Sequence, residues 1–130
     1  TRAVEDPALL DRLAGGTVPL EVCPTSNERL RVVPSVAAHP VATFVRRGVP
    51  VVISSDDPSL FGTDIVHEHV RLHRETGLAL ATLGGLAAAS FDHALLRPEE
   101  RRDLFADARR DAFAWIDALP SPARPAERAS

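Results

Sequence analysis

Two adjacent carboxylates, Asp56 and Asp57, stand in the run VVISSDDPSLFGTD of residues 51–64, where a short β-branched apolar segment breaks into a loop. Successive side chains on a strand point to opposite faces, so neighbouring carboxylates at a strand's end cannot serve one partner equally well. Two separate tasks are expected of them. One is to bind a hard or borderline cation, because carboxylate oxygen is a ligand for zinc as well as for calcium and magnesium. The other is to turn toward a ligand held beside that cation. The same residues also make a good turn, since Asp before Pro opens many loops and Asp-Asp-Pro-Ser needs no ligand to explain it. On spacing alone both readings stand.

Other residues invite chemistry with less support. His69 and His73 are four apart, the spacing of two metal-binding histidines on one helix face, but no general-base glutamate lies between them and their surroundings are charged, so a solvated helix face is expected. His39 precedes Pro40 and is expected to cap or orient a helix start, or else to line a pocket from the loop. Cys23 closes an apolar strand with no histidine or asparagine arranged to activate it, and is read as a buried, inert thiol. Ser26 and Asn27 follow that strand, where they either support a metal site through hydrogen bonds or form an Asx or Ser turn. Gly84-Gly85 weakens a helix or allows close packing, and no phosphate-binding pattern surrounds it.

The elements that must position these residues alternate. DPALLDRLA (6–14) reads as a helix capped by Asp6, with Pro7 in the first position and Gly15-Gly16 at the exit. PLEVC reads as a strand and TSNERLR as a polar loop. A helix starts at Pro40 and stops at Gly48, and VPVVIS is the most strand-like run in the chain. Thr63 or Asp64 then caps a helix to about Glu75, a second helix covers 80–90, and a third covers 98–118, where Phe105, Phe113, Trp115 and Ile116 form an apolar stripe. The tail 119–130 is rich in Pro, Ala and charge and is expected to be disordered.

Strands alternating with helices imply right-handed crossovers and a parallel sheet, hence an α/β fold. Two strands make too small a parallel sheet to stand alone, because such sheets need helices on both faces and leave open edges. Residues 1–118 are therefore expected to be the C-terminal portion of a (β/α)8 TIM-type barrel, its last two strands plus C-terminal helices, with the remaining strands upstream. In such barrels the chemistry gathers at the C-terminal ends of the strands, which is where Asp56 and Asp57 fall.

Bulk composition narrows the function classes. The 130 residues carry 15 basic and 18 acidic side chains interspersed along the chain, a formal charge of −3, with no basic patch for nucleic acid. Apolar runs fall short of the roughly 20 residues that span a bilayer, so no membrane partner is expected. One cysteine excludes an internal disulfide and suits a reducing compartment, so a cytoplasmic location is expected. The chain contains no methionine and begins at Thr1, which reads as processing or as a piece of something longer.

LEVCPTSN (20–27), His39-Pro40, GVPVVISSDDPSLFGTD (48–64) and ASF (89–91) followed by PEE resemble, in that order, the C-terminal part of adenosine deaminases. The resemblance runs over about residues 1–118, and SDDPSLFGT is its most specific motif. It implies a zinc-dependent purine aminohydrolase of the amidohydrolase superfamily, acting in purine salvage. Zinc-activated water would attack C6 of adenosine to give inosine and ammonia. By resemblance Asp56 is the zinc ligand that also contacts the metal-bound water, and Asp57 hydrogen-bonds purine N7. The bound partner it implies is a small-molecule purine nucleoside.

Adenosine deaminases also carry a His-x-His pair on the first strand, a histidine ligand on the fifth, a glutamate proton shuttle close after it and a histidine in a Gly-His-Gly-like turn on the sixth, and this chain has none of them. One aspartate cannot hold catalytic zinc, which takes three or more protein ligands. The segment alone is therefore expected to be inert, with activity in a longer polypeptide that supplies the N-terminal part of the barrel. His67, Glu68 and His69 depart from the acidic-tyrosine pattern of many relatives. Two further readings stay open: a deaminase of a related aminopurine, adenine or aminodeoxyfutalosine, and a non-catalytic remnant or interaction module.

Overall fold

Helix α1, Pro7–Ala14, begins as its sequence dictates: the Asp6 side chain accepts from the Leu9 N–H at 3.0 Å, Pro7 occupies the first turn, and Leu10 turns into the core. The computed structural model describes residues 1–95 together with residues 97, 99, 106, 110 and 114. Of the expected helix over 98–118 only residues 99, 106, 110 and 114 are described, and its stripe of Phe105, Phe113, Trp115 and Ile116 and the tail 119–130 lie outside the described residues.

Strands β1, Leu20–Val22, and β2, Val51–Ile53, pair in parallel, with Leu20 opposite Val51 and Val22 opposite Ile53. Each is shorter than its β-prone run, because the flanking prolines cannot donate to a ladder. Pro50 still accepts from the Leu20 N–H at 2.8 Å, and Val22 accepts from the Ser54 N–H at 2.9 Å. The chain thus has mixed α/β architecture with the parallel pairing that the alternation of elements implies.

The crossover from β1 to β2 runs through α2, Pro24–Arg29, a 3-10 turn at Val36–Ala38, and α3, Val41–Arg46. Gly48 takes φ +72 after α3, so the chain can reverse into Val49 and the second strand. Val22, Val51 and Ile53 pack with Leu10, Val36, Val41, Phe44, Leu72 and Leu83 into one buried cluster. Helix α4, Pro58–Phe61, is a single turn ended by Gly62 at φ +59. Helix α5, Ile65–Thr76, is capped by Asp64, which accepts from the His67 N–H at 2.7 Å, and α6, Leu80–Ser90, lies against β2.

Two local expectations are corrected. TSNERLR is not a loop, since α2 occupies its first part, and α4 is an additional helical turn. Helix α2 has no local side-chain cap, and the donor orphaned at its start, the Thr25 N–H, is taken at 2.9 Å by Glu68 from α5, 43 residues away. Local sequence holds no sign of that partner.

Candidate active site

Because β1 and β2 are parallel and in register, the turns that leave their C-terminal ends lie side by side. Ser26, in α2 after β1, is 2% exposed, and its hydroxyl donates to Asp56 Oδ2 at 2.7 Å across the gap between the turns. Asp56 itself is exposed and sits at φ +58, a left-handed conformation that non-glycine residues rarely take and that aspartate tolerates better than most. The inversion lets Asp56 face Ser26 while Asp57 turns forward. Asp57 Oδ1 accepts from the Leu60 N–H at 2.8 Å and caps α4. The adjacent carboxylates therefore do take different partners, one across the strands and one along the chain.

Asp56 Oδ2 is held while Oδ1 makes no hydrogen bond among the described residues, which fits a single carboxylate position in a metal site. Among the described residues no group of three or more His, Cys, Asp or Glu side chains could hold a metal ion. A catalytic zinc takes three protein ligands and an open position, so the donor set on these residues fits one ligand and not a whole site.

Glu68 drew notice in the sequence only as part of an unusual triplet, yet it is 0% exposed. Its Oε2 accepts from the Thr25 N–H at 2.9 Å and its Oε1 from the Thr63 hydroxyl at 2.5 Å. One signal could have found it: Glu68 is four residues before Leu72, also 0% exposed, so a carboxylate stands on the helix face that carries the apolar contacts. One turn further on, Arg71 donates to the Thr25 hydroxyl at 3.1 Å and pairs with Glu28 at 2.8 Å and Glu75 at 2.7 Å. The Arg71 guanidinium holds the Glu28 carboxyl below its ordinary range, and the Glu75 and Glu28 carboxylates push Arg71 up.

The histidines separate by partner. His39 is buried, with Nδ1 accepting from the Val41 N–H at 3.1 Å and Nε2 donating to Asn27 Oδ1 at 3.0 Å. Burial pushes its pKa down to about 4, so at neutral pH it is an uncharged residue that takes the first N–H of α3. Asn27 is thereby turned to His39 and away from Asp56, leaving Ser26 as the member of that pair that supports the candidate site. His73 is exposed and donates to the Leu78 carbonyl at 2.8 Å, in keeping with a solvated face.

His69 is a correction to that expectation. Its Nδ1 donates to the Ile65 carbonyl at 2.7 Å, while Nε2 is buried without a hydrogen-bond partner. The ring lines a cleft of about 320 Å³ with Ile53, Ile65, Leu86, Ala87, Ser90 and Phe91. His69 turns into this cleft with Nε2 buried while His73 is exposed and does not line it, so the two are not presented together as a metal pair. Cys23 is half-buried, and burial pushes its thiol pKa up, away from the thiolate a nucleophile needs.

Comparison with known proteins bears on this arrangement. The adenosine deaminase family matches residues 1–109. The chain is 41% identical over 116 residues to the aminodeoxyfutalosine deaminase of Streptomyces avermitilis, covering 89% of this chain and 32% of that protein. It is 44% identical over 91 residues to the adenine deaminase of Bordetella parapertussis, covering 70% of this chain and 29% of that protein. The crystal structure of adenine deaminase from Arthrobacter aurescens superposes with a TM-score of 0.79 at 31% identity, over 90% of this chain and 35% of that one. The chain thus spans about a third of the length of the curated relatives it matches. Both strands, both aspartates and the buried glutamate fall within the matched span, and the chain belongs to the adenosine deaminase family.

Proposed function

We propose that this chain is the C-terminal portion of a (β/α)8 barrel deaminase that removes the 6-amino group of a purine, with adenosine as the substrate and inosine and ammonia as products. The observation that carries the reading is the Ser26–Asp56 hydrogen bond at the paired strand ends. It fixes one carboxylate oxygen and leaves the other to a ligand, in a barrel's usual catalytic position. In this reading Asp56 is one of the residues that hold zinc, and the remaining ligands come from the upstream part of the barrel. Zinc, when bound, would lower the pKa of its water to near neutrality and so supply a nucleophile without strong base.

The chain's own residues then do two things. Ser26 holds the Asp56 carboxylate in one rotamer, so a ligand position is ready before the metal arrives. Asp57 orients the purine. Its Oδ1 is committed to the Leu60 N–H, so Oδ2 is the atom that faces N7. A hydrogen bond there needs a proton on one partner, either on N7 or on the carboxyl.

A second reading keeps the chemistry and changes the substrate to adenine or aminodeoxyfutalosine. It is favoured by the names of the relatives at 44% and 41% identity. Ammonia release from the three substrates by the complete polypeptide separates these readings. In that polypeptide Asp56→Ala should abolish ammonia release and deplete bound zinc, and the 130-residue segment alone should release none. Unchanged zinc content in Asp56→Ala would remove Asp56 from the metal site and the proposal with it.

A further inference from the structure

We propose that Glu68 is a positioning residue for the metal-ligating turn, acting as a clamp that locks the Asp56 loop onto the start of α2. The inference rests on the reading of Asp56 as a metal ligand. The loop that carries Asp56 leaves β2 after Ile53 and ends at Thr63, just before α5. Its first end is fixed by the sheet, where the Ser54 N–H donates to Val22. Its far end is fixed by Glu68: Oε1 takes the Thr63 hydroxyl while Oε2 takes the Thr25 N–H. Thr25 is the immediate neighbour of Ser26, which holds Asp56 Oδ2.

Asp56 is thus enclosed in a ring of contacts, running from Asp56 to Ser26, from Thr25 through Glu68 to Thr63, and back along the loop. Arg71, one turn along the same helix, adds a tie to the Thr25 hydroxyl. Pro24, Thr25 and Ser26 are all buried, so the ring is anchored in the packed interior and not at the surface. A left-handed aspartate persists only when its surroundings over-determine it. Of the contacts that come from outside the two turns, Glu68 is the one that touches both, at Thr25 and at Thr63, while Arg71 reaches only the first. Without it, Thr63 and the loop are released, and the carboxylate no longer waits in the orientation that a metal requires.

Glutamine in place of glutamate tests the clamp without removing it. Its carbonyl can accept from the Thr25 N–H, and its amide can donate to the Thr63 oxygen. The measurement is zinc affinity of the complete polypeptide by competition with a chelator, normalised to the folded fraction from circular dichroism. Glu68→Ala should weaken zinc by about 10- to 100-fold, the range for groups that orient metal ligands without touching the metal. Thr63→Val should weaken it less, and Glu68→Gln should stay near wild type.

Wild-type zinc affinity in Thr63→Val would overturn the clamp even if Glu68→Ala does not fold. Loss in Glu68→Gln equal to that in Glu68→Ala would overturn it as well, because buried charge rather than hydrogen-bond geometry would then be what matters. If Asp56→Ala loses zinc while Glu68→Ala and Thr63→Val keep it, the clamp fails and the metal assignment stands. If Asp56→Ala keeps zinc, the assignment fails first and takes the clamp with it.

Discussion

The turns that follow the two strands are neighbours in space and opposites in physics. After β1, Pro24, Thr25 and Ser26 are buried, and the Thr25 N–H, the Thr25 hydroxyl and the Ser26 hydroxyl each have a partner. After β2, Asp56 and Asp57 are exposed, the first at φ +58 and the second with one oxygen committed to a cap. The contrast shows how an accessible reactive group can be held still. On the proposed reading, the residues that meet a ligand stay open, and the residues that hold them are placed one strand over and buried.

The comparison predicts opposite balances of stability and function on the two sides. Glu68→Ala leaves the buried Thr25 N–H without an acceptor and the Thr63 hydroxyl with only a long contact, 3.5 Å, to the Asp64 carbonyl. At about 1–3 kcal/mol for each group that loses its partner, the total loss of stability is at most on the order of 2–6 kcal/mol. That is the largest effect expected of any single change discussed. Asp56→Ala, on the exposed side, leaves one serine hydroxyl to repartner, and its stability cost should be about 1 kcal/mol. Urea midpoints of the two variants in the complete polypeptide measure the difference. Equal midpoints would mean that the buried side is not the stiffer one.

His39 tests the buried side by pH. The folded state keeps it neutral with its pKa at about 4, against an ordinary value of 6.5. Between those values the unfolded chain binds the extra proton and the folded chain does not, so stability is present above pH 6.5 and is lost as pH falls toward 4. The urea midpoint should therefore decline across this window in the wild type and decline less in His39→Asn. The asparagine can still accept from the Val41 N–H but does not titrate. A parallel decline in both proteins would place the acid sensitivity elsewhere.

How much of this was legible in the sequence follows the same division. The exposed turn was readable because its signals are local: β-branched residues before it, Asp-Asp-Pro-Ser within it, and Asp64 ready to cap the next helix. Helices α1 and α5 were readable for the same reason, each starting at an aspartate cap and stopping at a glycine. The buried turn was not. Helix α2 is stabilised by a carboxylate 43 residues downstream, and no propensity scale sees such a contact, so its polar residues read as loop. Glu68 and His69 were hidden in a charged triplet. Helical spacing from Leu72 marks the first as inward-facing, while the burial of His69 Nε2 depends on α6 packing alongside.

Asp57 is where the two sides meet in one residue, and its stability effect is as small as that of Asp56. As cap of a single helical turn it contributes about 1 kcal/mol, so Asp57→Ala should lose that much, while Asp57→Asn keeps an acceptor for the Leu60 N–H and should lose little. Activity need not follow stability. Asparagine also offers an amide donor to purine N7, so if orientation of the base needs only a hydrogen bond, Asp57→Asn should turn over near normally and Asp57→Ala should not. If both variants lose turnover while Asp57→Asn keeps wild-type stability, the carboxylate is needed as an acid or a charge and not only as a hydrogen-bonding shape. If both keep turnover, Asp57 is a cap and nothing more, and the exposed turn contributes a single functional carboxylate, Asp56.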